Sequence, residues 1–207
     1  MSFWGKIKGF IVSPTETFNS VKEEGWGGSI GYFAKLLVIF AILIAVVIVA
    51  VFAAIWSIIN SALETYLVAE TVTGLEGFFG MAAGILAVVA LISIIIGGII
   101  GILISSLWMH IWVYIVGGRK GVGQTIKAMA YGSTPSLLLG WIPLVGIIFA
   151  IWSIVVSIIG IRELHEISTG RAVLAYLLGA IIIPAIIAVA LFSVLLAAFL
   201  AWTPSFT

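Results

Sequence analysis

Long apolar stretches separated by short polar segments are the main pattern in this chain. A helix needs about 20 predominantly apolar residues to cross the ~30 Å hydrocarbon core of a bilayer. Residues 32–59 meet this requirement as a first span, and residues 172–202 meet it as a last one. The apolar stretch 78–116 is longer, because at ~1.5 Å per residue it extends for roughly 60 Å as one helix. By length alone, that stretch holds either one long span or two.

The basic residues decide between these alternatives. The chain has nine Lys and Arg residues; none lies between Lys35 and Arg119, and none follows Arg171. Short loops rich in Lys and Arg stay on the cytoplasmic side of a membrane. Two crossings within 78–116 would place Arg119 outside, so we predict one long helix that is tilted or broken near Gly97.

Residues 124–161 provide two short apolar segments joined by a turn at 140–143. The first segment contains Gly132 and Pro135, and a proline inside a helix removes a hydrogen bond and kinks it. We therefore predict a kinked or partly re-entrant third segment, since a hairpin that fails to cross leaves the charge pattern unchanged. The predicted fold is an all-α polytopic membrane protein with five transmembrane helices, its N-terminus cytoplasmic and its C-terminus outside.

Residues 1–30 precede the first span and have the pattern of an amphipathic helix. Its apolar face consists of Phe3, Trp4, Ile7, Phe10 and Ile11. Lys6 and Lys8 lie on the other side, which is typical of a helix lying in the headgroup plane. We predict a cytoplasmic interfacial arm at 1–30, which either anchors the chain or binds a partner. A single five-helix transmembrane domain at 31–207 follows it.

A second short helix is predicted within this arm. Ser13 is a suitable N-cap, Pro14 suits the first helical position, and Glu16 comes three residues after the cap. The helix carries Phe18 and is expected to stop at Gly25.

Composition limits the function more than it defines it. The chain is 63% hydrophobic and only 8% charged, whereas a soluble domain carries about 25% charged residues. It contains no Cys and no Asp, and His110 and His165 are its two histidines. No nucleophile–base pair or metal-ligand spacing is present in the sequence. We therefore expect no enzyme activity, no cofactor or metal, and no nucleic-acid partner.

Polar side chains in the predicted spans form one candidate site. Three segments bring hydrogen-bonding groups to a similar depth in the cytoplasmic half, and the candidates are His110, Tyr131, Thr134, Ser153 and Ser157. An ionisable group inside a membrane suggests function. Two interpretations remain open: a ligand site, or a set of structural hydrogen bonds around the backbone freed by Pro135.

Two further sets of residues are candidates for packing and for lipid contact. Small residues four apart let helices approach closely in lipid, and such pairs are Gly80–Gly84 and Gly97–Gly101. They indicate packing within the chain or, alternatively, a homo-oligomer. The candidates for the cytoplasmic face and for anionic headgroups are Lys6, Lys8, Pro14, Phe18, Arg119, Lys120, Arg162, His165 and Arg171.

Several short motifs, taken in order, resemble the Yip family, named for Ypt/Rab-interacting proteins. Residues 13–18 (Ser-Pro-Thr-Glu-Thr-Phe) resemble the Pro-x-x-x-Phe opening of its prokaryotic members. The glycines at 117–118 and the segment 130–135 (Ala-Tyr-Gly-Ser-Thr-Pro) are similar to the family's glycine loop and Ala-Tyr-x-x-x-Pro signature. The polar elbow at 162–172 is similar as well.

This resemblance implies five transmembrane helices and a cytosolic N-terminus. Eukaryotic relatives are linked to Rab-type GTPases and carry a longer cytosolic N-terminal region than residues 1–30, so small GTPase binding is not expected here. The leading hypothesis is a non-enzymatic protein, located in the cell membrane of a prokaryote, that organises membrane or partners through its cytoplasmic face. The alternative is a transporter, channel or lipid-moving protein that uses a polar groove in the cytoplasmic half.

Overall fold

The structure, a computed structural model, describes residues 1–63 and 69–202. Residues 64–68 and 203–207 lie outside the described part. The described residues form helices joined by short turns: α1 (Phe3–Val12), α2 (Pro14–Ser20), α3 (Trp26–Leu63), α4 (Ala69–Ile115), α5 (Val122–Gly132), α6 (Thr134–Leu139), α7 (Val145–His165), α8 (Thr169–Tyr176), a π-helical turn (Leu177–Ile182) and α9 (Ile183–Trp202).

Within the described part of the chain, four helical stretches are long and apolar enough to cross a membrane. They are Trp26–Leu63, Thr73–Ile115, Val145–His165 and Thr169–Phe199. The segment predicted as the third span is divided instead into α5, with 11 residues, and α6, with 6 residues. Pro135 explains the division, because it lacks the N–H that a continuous helix needs and occupies the first turn of α6.

The helices α3 and α4 form a long antiparallel pair. With 38 and 47 residues, they extend for about 57 and 70 Å at ~1.5 Å per residue. They touch at Leu37 and Gly98, where a Cβ on the glycine would lie 2.6 Å from a leucine methyl group. Further out, the rings of Trp56 and Phe79 lie 5.2 Å apart. Apart from this seam, most of the outer side chains are exposed, as expected for helices surrounded by lipid.

The glycines predicted to mediate packing do not do so within this chain. A Cβ at Gly80, Gly84, Gly97 or Gly101 would meet no other atom within 4 Å. The close approach of α3 and α4 lies at Gly98 instead, one residue from the predicted pair. The spacing of small residues does not reveal the rotation of a helix about its own axis, and that rotation decides which glycine faces the neighbour.

The N-terminal arm packs into the helical bundle. Phe10 of α1 and Phe18 of α2 are fully buried, and the Phe18 ring leaves no room for a Cβ at Gly160 of α7. The Trp152 indole also donates a hydrogen bond to the carbonyl of Ile11 (3.1 Å). Most of the apolar face of α1 therefore packs on protein, although the pattern is typical of a helix on the membrane surface, and Trp4 on that face is 71% exposed.

The last helix leaves the bundle through the π-helical turn. The Trp108 indole on α4 donates a hydrogen bond to the carbonyl of Gly179 (2.8 Å), and a Cβ at Gly179 would lie 2.7 Å from the Trp112 ring. A π-helical turn frees backbone groups from their usual partners, so Gly179 anchors the start of this segment on α4. Beyond it, the described side chains of α9 are exposed.

Candidate functional site

A cluster of four aromatic rings joins the arm to the bundle around Tyr131. The Phe10 ring stacks on the Tyr131 ring at 4.6 Å and 20°. Tyr32 of α3 lies 5.2 Å from Tyr131, and Phe18 lies 6.3 Å from it. Tyr131 is fully buried, so this tyrosine on α5 is the point where α1, α2 and α3 meet.

The hydroxyl end of Tyr131 takes part in a buried ionic cluster with Lys6 and Glu24. Lys6 Nζ donates hydrogen bonds to Glu24 Oε2 (2.5 Å) and Tyr131 Oη (3.1 Å), and Tyr131 Oη donates to Glu24 Oε2 (2.9 Å). Burial opposes ionisation of Glu24, but these two hydrogen bonds and the Lys6 charge outweigh it and lower the pKa of Glu24. Lys6, predicted to face lipid headgroups, is therefore engaged inside the protein.

Lys127 holds the chain between α2 and α3 in place. Its Nζ donates hydrogen bonds to the carbonyls of Lys22 (2.6 Å) and Glu24 (2.8 Å), and its side chain is buried. This role was not predicted from the sequence, in which Lys127 is simply one of the nine basic residues. A lysine followed four residues later by the signature Tyr131 was the available signal, because residues i and i+4 lie on one helical face.

Glu166 connects the arm, the α4–α5 loop and the end of α7. Its carboxylate pairs with Lys22 of the arm (2.5 Å) and with Lys120 of the α4–α5 loop (2.6 Å), and the residue itself ends α7. Hydrogen bonds and charge from Lys120 and Lys22 lower the pKa of Glu166 to about 2. The residue adopts φ 55°, a left-handed conformation that suits a helix C-terminus.

Among the remaining arginine candidates for headgroup contact, Arg162 forms an ion pair, whereas Arg119 and Arg171 have no carboxylate partner among the described residues. Arg162 pairs with Glu163 and donates to the hydroxyl of Thr15 (3.2 Å). Arg119 lies over the Tyr114 ring, 3.5 Å from its centre, and is exposed. Arg171 is exposed as well.

Three other candidates have different surroundings. Lys8 is exposed on α1, while Pro14 and Phe18 are buried. These two residues of the motif at 13–18 thus contribute to the core and do not form a contact surface.

The two histidines share one threonine. Thr125 Oγ1 lies 2.8 Å from His110 Nδ1 and 2.9 Å from His165 Nε2. A hydroxyl has one hydrogen, so Thr125 donates to one ring and accepts from the other. His165 is 3% exposed, and its Nδ1 has no hydrogen-bond partner among the described residues. This chain of contacts joins α4, α5 and α7.

The other predicted polar residues do not converge with His110. Thr134 hydrogen-bonds to Tyr32 (3.1 Å), and Ser153 accepts from Ser136 Oγ (2.7 Å). Ser157 is hydrogen-bonded to Tyr176 of α8. A common depth brought these residues together in the sequence analysis, but they point in different directions, and each pair joins a different set of helices.

The family model described as the Yip1 domain matches residues 8–192. The chain belongs to the Yip1 domain family. No curated protein and no solved structure matches it. In this Yip1 domain, the family resemblance seen in the sequence is confirmed, and the Ala-Tyr-x-x-x-Pro segment corresponds to Tyr131 at the centre of the aromatic cluster and Pro135 at the start of α6.

Proposed function

We propose that this Yip1 domain is a non-enzymatic integral membrane protein that gathers anionic lipids or partner proteins at its cytoplasmic face. In the proposed topology, α5 and α6 together form the third of five crossings, with the N-terminus inside and the C-terminus outside. The position of all basic residues at one end of the spans supports this orientation. The cell membrane of a prokaryote is the proposed location.

The observation that carries this proposal is the connection of all cytoplasmic segments into one surface. Glu166 bridges the arm and the α4–α5 loop, Lys127 fixes the end of the arm, and Tyr131 packs against α1. A scaffold needs a surface whose parts keep fixed positions, since ordering a flexible surface on binding costs conformational entropy.

The exposed cations on this surface indicate what it gathers. Arg119 and Arg171 are both exposed, and neither has a carboxylate partner among the described residues. Cations close to an anionic leaflet gain about 1 kcal/mol each. Anionic headgroups or an acidic partner surface are therefore the expected contacts.

The composition of the lipid shell around the protein tests the proposal. The full chain is reconstituted in a mixture of phosphatidylcholine and phosphatidylglycerol and then extracted with its surrounding lipids into polymer-bounded nanodiscs. We expect enrichment of phosphatidylglycerol over the bulk ratio. The double variant Arg119→Gln/Arg171→Gln should reduce this enrichment, whereas Arg119→Lys/Arg171→Lys, which preserves both charges, should retain it.

A flux measurement on the same vesicles tests the transport alternative. The scaffold proposal expects labelled lipid and ions to move at the rate of protein-free vesicles. If the protein accelerates either movement and His110→Ala abolishes the acceleration, the protein is a transporter and the proposal is wrong. Equal lipid ratios in the shell and the bulk, with no protein partner cross-linked at Arg119 or Arg171, would also overturn it.

A further inference from the structure

A cleft opens between the arm and the beginning of α3. Its volume is about 340 Å³, and it is lined by Met1, Phe3, Lys6, Gly28, Gly31, Tyr32 and Lys35. This volume falls within the ~300–1,000 Å³ typical of small-molecule sites. The cleft is separate from the His110–Thr125–His165 contacts and from Glu166.

One lysine supplies the uncompensated charge of this cleft. Lys35 is exposed, and its Nζ lies 5.9 Å from the centre of the Phe3 ring. Among the described residues, no carboxylate lies within ion-pair distance of Lys35. Lys6, on the wall of the cleft, is already neutralised by Glu24. An anionic group in the cleft would therefore be attracted chiefly to Lys35.

An apolar groove continues from the cleft along α3. It has a volume of about 430 Å³, shares Phe3 and Lys35 with the cleft, and is otherwise lined by Ala34, Val38 and Ile39. A further apolar groove starts at Ile42, about one helical turn later, and follows the same helix to Ala53. At ~1.5 Å per residue, Lys35 and Ala53 are about 27 Å apart along the helix, which is long enough for an acyl chain.

We propose that the cleft and groove bind one anionic phospholipid, with its phosphate beside Lys35 and an acyl chain along Val38 and Ile42. The cationic cleft alone would suit any small anion. The two apolar grooves that follow one another along α3 favour a ligand that carries charge and hydrocarbon together, and the membrane supplies such ligands. This inference rests on the orientation given under the proposed function, and it assigns lipid binding to Lys35, which was not among the predicted lipid contacts.

Two glycines on α3 provide a matched pair of variants. Gly31 lines the cleft, and a Cβ there would meet no other atom within 4 Å. Gly27 lies one turn earlier, is equally open and does not line the cleft. A Cβ meets no other atom at either position, but only Gly31→Leu places its side chain in the cleft assigned to the lipid.

Native mass spectrometry of the full chain in detergent tests the site, with phosphatidylglycerol and phosphatidylcholine as the probes. We expect the wild-type protein to retain one phosphatidylglycerol in preference to phosphatidylcholine. Lys35→Gln should weaken this preference about fivefold, because one cation near an anionic lipid contributes about 1 kcal/mol. Gly31→Leu should reduce retention of the lipid, and Gly27→Leu should behave as the wild type does.

Several results would overturn the inference. One is equal retention of phosphatidylglycerol by wild-type protein, Lys35→Gln and Gly31→Leu. Another is displacement of the lipid by glycerol phosphate, which would identify a site for soluble anions. A third is cross-linking at Gly31→Cys that captures a protein and no lipid, which would identify a partner site.

The site and the proposed function can fail independently. If phosphatidylglycerol remains enriched in nanodiscs while Lys35→Gln has no effect, only the site is wrong. If Lys35 binds lipid, but no enrichment depends on Arg119 and Arg171 and no partner protein is cross-linked at either residue, the site stands and the proposed function falls.

Discussion

The ring of Phe10 lies nearly parallel to the ring of Tyr131, with 4.6 Å between their centres and 20° between their planes. Phe10 belongs to a segment with the pattern of a membrane-surface helix, whereas Tyr131 belongs to the segment between the long spans. Their contact means that the arm forms part of the folded bundle. Deleting the arm would expose Tyr131, so single substitutions are the better probes of its role.

Phe10→Ala should lower the free energy of unfolding by about 3–5 kcal/mol, because it removes a large, fully buried ring. Trp4→Ala is the matched control, since Trp4 lies on the same helix but is 71% exposed. Thermal unfolding in detergent measures both variants. An arm that merely rests on lipid would give the opposite order or no difference.

Gly132→Ala should destabilise the contact between α5 and α7. The added Cβ would lie 2.1 Å from Ser157 Oγ and 2.8 Å from its Cα, and overpacking of this kind costs about 1–3 kcal/mol. Gly84→Ala should be neutral or slightly stabilising, because open space surrounds Gly84 and alanine favours the helix. Chemical unfolding measures the free energy of unfolding of both variants and tests whether only Gly132→Ala lowers it. If Gly84→Ala instead changes the oligomeric state, Gly84 lies in an interface between copies.

Thr125→Val should destabilise the protein more than Thr125→Ser. Valine preserves the shape but removes the shared partner of His110 Nδ1 and His165 Nε2, and an unsatisfied buried group such as His165 Nε2 costs about 1–3 kcal/mol. Serine keeps the hydroxyl. The variants are compared by thermal unfolding, and equal midpoints for valine and serine would show that the hydroxyl contributes nothing to stability.

Acid should loosen the contacts that Glu166 makes with Lys22 and Lys120. The pKa of Glu166 in the folded protein is about 2, below the ordinary value of 4.5. Its ionised form therefore stabilises the fold above pH 4.5, and that contribution is lost as the pH falls towards 2. The lowered pKa of Glu24 acts in the same direction.

The unfolding midpoint, measured against pH, tests this expectation. The Glu166→Gln variant has no carboxylate to protonate at this position. It should therefore lack the part of the acid sensitivity that comes from the ion pairs of Glu166 with Lys22 and Lys120. High salt should also reduce it in the wild type, because exposed ion pairs are screened. A variant with an unchanged pH profile would exclude Glu166 as the source.

Leu144→Cys tests whether the third and fourth segments cross. Leu144 lies in the turn before α7 and is 82% exposed, and the chain contains no natural cysteine. In the five-span topology, an impermeant thiol reagent labels position 144 from outside, whereas Lys120→Cys is labelled only from the cytoplasm. A different result would identify a re-entrant hairpin: position 144 is not labelled from outside, but it is labelled once detergent has permeabilised the membrane.

The sequence predicted the helical membrane character well because hydropathy reports burial in an apolar medium. It could not distinguish a protein core from lipid, since both are apolar, and α1 was consequently assigned to the membrane surface. Depth along a helix was also predictable, whereas rotation about its axis was not. For this reason Tyr131 and Ser157 were grouped together, although Tyr131 faces the arm and Ser157 faces α8.

The two contacts between α3 and α4 have a mechanical consequence. The same number of residues separates Leu37 from Trp56 as separates Gly98 from Phe79, so the helices keep one register over about 28 Å. Two helices locked together in this way move as a stiff rod. Thickening or bending of the surrounding bilayer that tilts the outer end must therefore displace Tyr32, and with it the aromatic cluster that holds the arm.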